Sequence, residues 1–325
     1  ALISAYLRRG EFDKALSAIA ALEKKQADNP LGSNLRGRAL LAKKDIAGAR
    51  KAFERSIDID PTYFPSVASL ARLDIADQKP DAARKRFDAV LARNPKHPQA
   101  LLALAELRAR EGGAKAEIAD LITKAVNANP TEKVPRVLLV EFHLRNGDAN
   151  LALSAAQNAV AAISENPELL ELLGRTQLAS GDHNQAVASY NKMATLQPNS
   201  PVPYMRMAQA QLVAKDKKAA GQSLRKALEL KPDYLDAQRG LILVALDSKN
   251  YAEATAVART MQKQRPTNVQ GYQFEGDIAV LERKWDVAAE SYRAALKHGA
   301  SAELTSKLHS TLSAAGKTAD ADKLA

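Results

Sequence analysis

The amino-acid sequence predicts an all-α fold, a superhelical solenoid of α-α units with about nine helix-turn-helix repeats and truncated ends. Three observations predict it: a period close to 34 residues, apolar residues at helical spacing in two segments of each period, and a proline after the second segment. Such a period is typical of a solenoid, in which each unit buries its apolar face against its neighbours. The period is read from one recurring position, at Ala15, Ala49, Ala83, Ile118, Ala152, Ala186, Ala220, Ala254, Ala288 and Ala321.

The composition fits a repeat array and narrows the possible functions. Of 325 residues, 46% are hydrophobic and 5% aromatic, which predicts an alanine-rich core of closely packed helices. No run of apolar residues approaches the roughly 18 that span a membrane, so we expect no membrane-spanning segment. The chain has no cysteine, which excludes disulfides and thiolate chemistry. The net charge of +10 is dispersed, so we expect solvated basic faces rather than a nucleic-acid site.

Residues 198–232 show the elements of one unit in order. Pro201 lies where the first helix begins, because a proline in the first turn costs no intrahelical hydrogen bond. Residues 204–213 carry apolar side chains at helical spacing and predict the first helix. Residues 214–217 form a polar turn, and residues 219–230 predict the second helix. The proline that follows ends it, since the residue before a proline disfavours helical backbone.

A polar turn separates the two helices of every other unit as well. Glycine in several of these turns suits a helix end that enters the left-handed region of backbone conformation. In chain order, the remaining turns are predicted at residues 9–11, 44–45, 77–80, 111–113, 146–148, 180–182, 248–250, 283–284 and 315–317.

Three further positions recur within the units. A small residue occupies the first helix at Gly37, Ala71, Ala105, Gly174, Ala208 and Gly276. An aromatic residue occupies the second helix at Phe53, Phe87, Tyr190 and Tyr292. A proline ends the unit at Pro61, Pro95, Pro130, Pro198, Pro232 and Pro266. This combination resembles the tetratricopeptide repeat (TPR) family, and the resemblance implies a protein-binding array whose first helices line a concave groove.

The resemblance covers residues 1–325 and predicts a single solenoid domain. Residues 1–9 supply only the end of a first helix and residues 317–325 only the start of a second, so we expect a chain excised from a longer protein. Pro30 and Pro167 lie three residues late, which predicts second helices almost one turn longer in those two units. The predicted units lie near residues 1–30, 31–61, 62–95, 96–130, 131–167, 168–198, 199–232, 233–266, 267–300 and, in part, 301–325.

A narrower resemblance rests on the C-terminal part of the chain. Residues 231–238, the Gly-Tyr…Glu-Gly-Asp pattern at 271–277 and residues 285–296 are similar to the TPR lipoproteins of bacterial PEP-CTERM/exosortase and exopolysaccharide systems. This resemblance implies a scaffold of the cell envelope, periplasmic or associated with the outer membrane, that acts in protein export and sorting or in exopolysaccharide assembly. Such a lipoprotein needs an N-terminal cysteine, which we expect upstream in the full gene.

No pattern of catalytic residues occurs in the sequence, so we expect a non-catalytic protein without cofactor or metal. The five histidines lie at no metal-ligand spacing, and no His-Glu-x-x-His occurs. Neither a Gly-x-x-x-x-Gly-Lys phosphate loop nor a Gly-x-Ser-x-Gly motif is present. The sequence therefore predicts binding, with a protein or peptide as the partner, and leaves the oligomeric state open.

Two positions of each first helix, one turn apart, are predicted to face the groove, with some neighbouring arginines. The candidate groove residues are Asn34, Arg38, Arg72, Glu106, Arg110, Glu141, Arg145, Glu171, Arg175, Arg206, Gln209, Arg239, Gln273 and Asp277. Chaperone-binding members of the family hold a peptide carboxylate with lysines and asparagines, and only Asn34 fits, so we expect no such clamp. Two interpretations stay open. The arginines bind a segment of mixed charge, or the charges pair within and between repeats.

Three functional hypotheses follow from the sequence. The first is the envelope scaffold, which predicts a signal peptide and a lipid-attachment cysteine upstream in the full gene. The second is a cytosolic adaptor, which predicts neither. The third is the recognition array of a larger protein whose catalytic domain lies outside this chain. Nucleic-acid binding ranks below all three, and we expect no salt-dependent binding to DNA.

Overall fold

The computed structural model describes residues 2–324, and all regular structure in that range is α-helical, which confirms the predicted fold class. The first helices of the repeats are α1 (Leu2–Arg8), α3 (Pro30–Ala42), α5 (Phe64–Ala76), α7 (Pro98–Arg110), α9 (Lys133–Arg145), α11 (Pro167–Ala179), α13 (Val202–Val213), α15 (Leu235–Asp247), α17 (Val269–Leu281) and α19 (Ala302–Ala314). The second helices are α2 (Phe12–Lys25), α4 (Ile46–Ile59), α6 (Pro80–Arg93), α8 (Lys115–Ala128), α10 (Ala149–Ala162), α12 (His183–Leu196), α14 (Lys217–Leu230), α16 (Tyr251–Gln264), α18 (Trp285–His298) and α20 (Thr318–Asp322).

The chain divides into two compact units, Ala1–Asp148 and Ala149–Ala325, and the division falls inside the predicted repeat 131–167. Within each unit, a helix packs on the helix before it and the helix after it along the chain. In the first unit, the largest apolar cluster joins α5, α6, α7 and α8. In the second unit, successive clusters join α11 to α13, α13 to α15, α15 to α17 and α17 to α20. Each cluster shares a helix with the next, as a stack of small units requires.

The recurring position that sets the period is buried in every second helix of the described range. The alanines at this position are at most 1% exposed, and Ile118, the one larger residue, is 5% exposed. A methyl group is the side chain that lets neighbouring helices approach closely in a densely packed core. The structure thus confirms the register predicted from the period.

The turn between the two helices has the same conformation in each of the ten repeats within residues 2–324. One residue per turn has a positive φ, and in half of the turns it is glycine. In the α3–α4 turn, the amide of Asp45 donates to the carbonyl of Leu40 and that of Lys44 to Leu41, which is the Schellman pattern. Four second helices then begin with a side-chain cap, from Asp45, Asp182, Asp216 and Asn250.

The expectation of longer second helices before Pro30 and Pro167 is wrong. Both α2 and α10 have 14 residues, like the other full second helices. Pro30 and Pro167 are instead the first residues of α3 and α11. A proline in this position has no amide hydrogen to lose and a φ suited to the helix, so it starts the next helix rather than ending the previous one.

Candidate functional site

A cavity of about 580 Å³ lies between α3 and α5, the first helices of two successive repeats in the first unit. We call it the arginine cavity, because Arg38 and Arg72 face it from equivalent positions 34 residues apart. Its lining residues are Asn34, Arg38, Leu41, Pro65, Ala68, Ser69, Arg72 and Leu73. Three of the predicted groove residues, Asn34, Arg38 and Arg72, are thus brought together in one site.

Both arginines of this cavity are exposed, and neither forms an ion pair with any residue in 2–324. The only hydrogen bond from either side chain in that range is a long one, 3.4 Å from Arg72 Nε to the carbonyl of Ala68. The lining contains no acidic residue. Two guanidinium groups without counter-charges give the cavity a positive potential and leave their donors available to an anionic group.

Asn34, which lines the arginine cavity, begins a chain of hydrogen bonds between the repeats. Asn34, only 3% exposed, donates from Nδ2 to Ser66 Oγ at 2.9 Å. Ser66 donates to Ser56 Oγ at 2.7 Å, and Ser56 donates to the carbonyl of Pro30 at 2.9 Å. The amide nitrogen of Asn34 is therefore used to join two repeats, which is consistent with the prediction that no lysine-and-asparagine clamp is present.

The other predicted groove residues of the first unit lie away from the lining of the arginine cavity. Glu106 and Arg110 are exposed and form an ion pair at 2.5 Å within α7. Arg145 is exposed and Glu141 is half-buried, both on α9. For Glu106 and Arg110, the structure favours the interpretation that groove charges pair with one another.

In the second unit, several of the predicted groove residues bond to one another or to side chains of a neighbouring repeat. Arg206 Nε on α13 donates to Glu171 Oε1 on α11 at 2.8 Å, and Arg206 Nη1 donates to Gln209 at 3.2 Å. Gln273 on α17 donates to Glu303 on α19 at 3.3 Å. Of the other three candidates, Arg175 and Arg239 have exposed side chains on α11 and α15, and Asp277 lies on α17.

Asp277 lies in a second cavity of about 540 Å³, between α17 and α19. Its lining residues are Asp277, Val280, Leu281, Trp285, Tyr292, Ser306, Lys307, Ser310 and Thr311. We call it the tryptophan cavity, because it contains the only tryptophan of the sequence. It has the same place in its pair of repeats as the arginine cavity, but Asp277 stands at the position that Arg38 has there, and Trp285 and Tyr292 add aromatic surface.

The polar groups of the tryptophan cavity are satisfied internally. Tyr292 donates from its hydroxyl to Asp277 Oδ1 at 2.7 Å, and Lys307 Nζ donates to the two carboxylate oxygens of Asp277 at 3.0 and 3.1 Å. Burial and the hydrogen bond to Asp277 raise the pKa of Tyr292 above its ordinary range. Burial lowers the pKa of Lys307, but Asp277 and Glu303 together raise it overall. Asp277 is therefore a structural partner here rather than a free acidic group.

Several residues of the two cavities were not among the predicted site residues. Leu41 and Leu73 line the arginine cavity, and Leu281, Trp285 and Lys307 line the tryptophan cavity. Leu41 lies about one turn after Arg38, on the same side of the helix, so extending the groove positions by one turn would have found it. Trp285 is the first residue of the second helix α18, so the groove positions of the first helices could not have pointed to it.

Residues 2–324 contain neither a cluster of side chains suited to a metal ion nor a helix suited to a membrane. No group of three or more histidine, aspartate or glutamate side chains in this range is arranged to hold a metal ion. No helix in the same range combines the length and apolar character needed to cross a membrane.

Comparison with known proteins identifies the repeat. Residues 1–64, 139–201 and 205–269 match one description of the tetratricopeptide repeat, and residues 40–107 match another. The peroxisomal targeting signal receptor of Candida albicans (strain SC5314 / ATCC MYA-2876) is 23% identical over 220 residues, which cover 64% of this chain and 36% of the receptor. The chain thus spans about a third of the length of that curated relative.

Solved structures of repeat proteins are also similar to this chain. A tetratricopeptide repeat protein from Parabacteroides merdae has a TM-score of 0.45 and 14% identity, covering 76% of this chain and 97% of its own. YrrB, described as a TPR protein with an unusual peptide-binding site, has a TM-score of 0.44 and 17% identity, and the match covers 62% of this chain and 99% of YrrB. MamA has a TM-score of 0.43 and 20% identity, and the match covers 54% of this chain and 93% of MamA.

Proposed function

The chain belongs to the tetratricopeptide repeat family, and we propose that it is a non-catalytic scaffold whose arginine cavity binds an extended, acidic segment of a partner protein. The observation that carries this proposal is the pair Arg38 and Arg72, which face one cavity from successive repeats without an ion pair in residues 2–324. A guanidinium group binds a carboxylate through two parallel hydrogen bonds, which gives orientation as well as affinity.

The remaining lining residues favour a peptide over a small anion. Leu41 and Leu73 add apolar surface to the cavity, and Ser69 adds a hydroxyl group. A segment that alternates acidic and aliphatic side chains would use both kinds of surface. The relative from Candida albicans is a receptor for a targeting signal, which also supports a peptide as the ligand.

Fluorescence anisotropy with two labelled peptides tests the proposal. One peptide alternates glutamate and leucine, and its analogue has glutamine in place of glutamate. We expect the wild-type chain to bind the glutamate peptide, and Arg38→Gln/Arg72→Gln to weaken that binding by about tenfold or more, since each charge-assisted hydrogen bond contributes about 1.5–3 kcal/mol. The glutamine peptide should bind weakly to both proteins.

The matched control is Lys51→Gln/Arg55→Gln, which removes the same charge from exposed positions on α4. It should bind the glutamate peptide like the wild type. Equal weakening in both double variants would mean that only the net charge of the protein attracts the peptide. That result, or the absence of any difference between the two peptides, would contradict a site at Arg38 and Arg72.

We propose further that this scaffold works in the bacterial cell envelope, in protein export and sorting or in exopolysaccharide assembly. Its support is the sequence resemblance of residues 271–277 and 285–296 to lipoproteins of those systems. A pull-down from envelope and cytosolic fractions, with the wild type and Arg38→Glu/Arg72→Glu, tests it. An envelope partner lost in the variant is the expected result. A partner found only in the cytosol would favour a cytosolic adaptor instead, and a separate catalytic domain in the full gene would favour a recognition array.

A further inference from the structure

Three buried polar side chains join the two repeats that carry the arginine cavity. Asn34 on α3, Ser56 on α4 and Ser66 on α5 are 3%, 0% and 0% exposed. Asn34 donates to Ser66 and Ser66 donates to Ser56, so the three side chains form one continuous network. Ser56 ends the network by donating to the carbonyl of Pro30, at the start of α3. We call Asn34, Ser56 and Ser66 the polar junction.

The two serine positions of the polar junction are apolar in every other repeat that contains them. The position of Ser56 is occupied in the other second helices by Leu22, Val90, Ala125, Ala159, Met193, Ala227, Met261 and Ala295. The position of Ser66 is occupied in the other first helices by Gly32, Ala100, Pro135, Leu169, Pro203, Ala237, Gly271 and Leu304. The two hydroxyl groups therefore meet only where α3 packs near α5, the helices that carry Arg38 and Arg72.

The polar junction fixes how α3 lies against α5. Within residues 2–324, the bond from Asn34 to Ser66 is the only side-chain hydrogen bond between these two helices. Apolar contacts are not directional, whereas a hydrogen bond weakens steeply as its distance and angle change. A buried network in which each member has a partner therefore selects one arrangement of the helices that it joins.

The two arginines of the cavity need such a constraint. Arg38 lies one turn after Asn34, and Arg72 lies on the helix that begins next to Ser66. Both arginines face the cavity without an ion pair in residues 2–324, so their repulsion favours a wider separation of α3 and α5. A ligand with two carboxylates binds more tightly when the separation is already set, because ordering a site on binding costs affinity.

We propose that the polar junction positions Arg38 and Arg72, by holding α3 and α5 in one arrangement before the acidic segment binds. This inference rests on the proposed function of the arginine cavity and adds what sets the spacing of the carboxylates that the cavity selects. Ser56 and Ser66 act through the helices rather than by contact with the ligand, since both are fully buried.

Two variants of the full chain remove the network and keep apolar packing in its place. The first is Asn34→Ala/Ser56→Ala/Ser66→Ala. The second, Asn34→Ala/Ser56→Val/Ser66→Ala, has the residues of the next junction, between α5 and α7, which are Ala68, Val90 and Ala100. Because all members of the network are removed together, no buried side-chain donor is left unsatisfied, and the melting temperature should stay close to that of the wild type.

Electron paramagnetic resonance of nitroxide labels measures the arrangement of the helices without any ligand. The sequence has no cysteine, so Ala42→Cys/Ala76→Cys labels only α3 and α5, at equivalent exposed positions one turn after each arginine. We expect a narrow distribution of label distances when the network is present and a broader one in both variants. The matched control is Ala76→Cys/Arg110→Cys, which labels α5 and α7, and its distribution should not respond to the variants.

Fluorescence anisotropy with the peptide that alternates glutamate and leucine gives the functional result. Both variants should bind this peptide about three- to tenfold more weakly than the wild type does. Ser56→Ala/Ser66→Ala, which keeps Asn34, should weaken binding as well. Normal binding by that double variant would mean that Asn34 contacts the ligand directly, and would contradict a positioning role.

Three further results would overturn the proposal. They are unchanged label distances between α3 and α5, wild-type affinity for the peptide in both variants, and equal broadening at the control pair with a large fall in melting temperature. The last result would assign the network to stability alone. A glutamate peptide that does not bind the wild type would contradict the proposed function instead, and the label distances would still show whether the polar junction holds α3 and α5.

Discussion

The ring of Tyr190 occupies the space in which a side chain on Gly174 would lie, sixteen residues earlier in the same repeat. A Cβ atom on Gly174 would come closer than 3.0 Å to three ring atoms of Tyr190. The same holds for Gly37 with Phe53 and for Gly276 with Tyr292. In each of these repeats, a glycine on the first helix makes room for an aromatic ring on the second.

Gly174→Ala should therefore destabilise the protein by about 1–3 kcal/mol, the usual effect of overpacking a dense core. The second substitution Tyr190→Leu should recover part of the loss, because the alanine-leucine pair occurs naturally at Ala208 and Leu224. Thermal unfolding of the wild type, both single variants and the double variant gives the coupling between the two positions.

The matched control for that prediction is Gly221→Ala. Gly221 is also buried within a helix, but a Cβ atom there would have its nearest neighbours at 3.5 Å, an ordinary contact. Alanine should stabilise this position by about 0.5–1 kcal/mol, because glycine disfavours a helix interior. If the two glycine substitutions changed stability alike, close ring packing would not be the cause at Gly174.

Tyr190 and Tyr292 occupy equivalent positions but differ in what their hydroxyl groups contact. Tyr292 donates to Asp277, whereas the buried hydroxyl of Tyr190 has no hydrogen-bond partner among residues 2–324, and burial raises the pKa of Tyr190 to about 12. Tyr292→Phe should cost about 1.5–3 kcal/mol, since the carboxylate of Asp277 loses one of its two hydrogen-bond donors. Tyr190→Phe should be neutral or stabilising by about 1 kcal/mol, since it removes an unsatisfied polar group. Chemical denaturation of both variants measures the contrast, and equal losses would contradict it.

Five of the ten turns within residues 2–324 have a left-handed residue other than glycine, and these are sites for stabilisation. The residues, with φ of 56–65°, are Lys44, Gln78, Lys215, Lys249 and Arg283. A side chain in this conformation costs about 1–2 kcal/mol of stability. Replacement by glycine removes that cost, but about half of the gain is lost because glycine has more conformational freedom in the unfolded chain. We expect each replacement by glycine to raise stability by about 0.5–1 kcal/mol in thermal unfolding.

The converse substitution tests the same explanation. Gly181 has φ of 81° in an equivalent turn, with open space around the position of a Cβ atom. Gly181→Ala should lower stability by about 1 kcal/mol through backbone strain alone. An unchanged melting temperature in both Lys215→Gly and Gly181→Ala would mean that these turns relax without cost.

The helices and their register could be predicted from the sequence because several independent signals in each repeat indicate them. Ala186, for example, is part of a period, of a helical pattern and of a unit bounded by a polar turn and a proline. The proline rule failed at Pro30 and Pro167, because one residue type both ends a helix and starts the next. Only the distance to the flanking polar turns would have distinguished the two roles.

The candidate site could be predicted only in part, because register fixes where a side chain lies but not which partner it finds. Arg38, Arg72 and Arg206 were equally plausible groove residues. The structure leaves the first two without ion pairs in the described range, while Arg206 reaches Glu171 on the preceding first helix. Arg206 and Glu171 are 35 residues apart, and their long side chains have many conformations. The spacing of residues within one helix therefore does not predict this ion pair. Side-chain volume is easier to predict from the sequence. Ile242 occupies the small-residue position of its first helix, and sixteen residues later, where other repeats have an aromatic ring, the chain has Ala258.

Asp74 supplies a pH-dependent part of the stability of the first unit. It is 4% exposed on α5 and lies between two arginines, with Oδ1 2.6 Å from Arg50 Nη1 and Oδ2 2.6 Å from Arg86 Nε. Burial alone would raise the pKa of Asp74, but the hydrogen bonds from Arg86 and Arg50 lower it below the ordinary value. The folded state therefore holds the ionised form more strongly than the unfolded state does.

A carboxyl group whose pKa is lowered by folding stabilises the protein above its unfolded pKa, about 3.9, and loses that contribution as the pH falls through the folded pKa. Asp74→Asn should lower the free energy of unfolding at pH 7 by about 1.5–3 kcal/mol, because two half-buried arginines lose a charged partner. The difference in the free energy of unfolding between variant and wild type should narrow as the pH falls below about 4, where Asp74 of the wild type becomes protonated and so uncharged like asparagine.

Asp88→Asn, at an exposed position on α6, is the control, and its stability should follow that of the wild type at every pH. Denaturation curves from pH 7 to about 2.5 test this, and a difference that stays constant over the range would show that the aspartate acts through its shape rather than its charge.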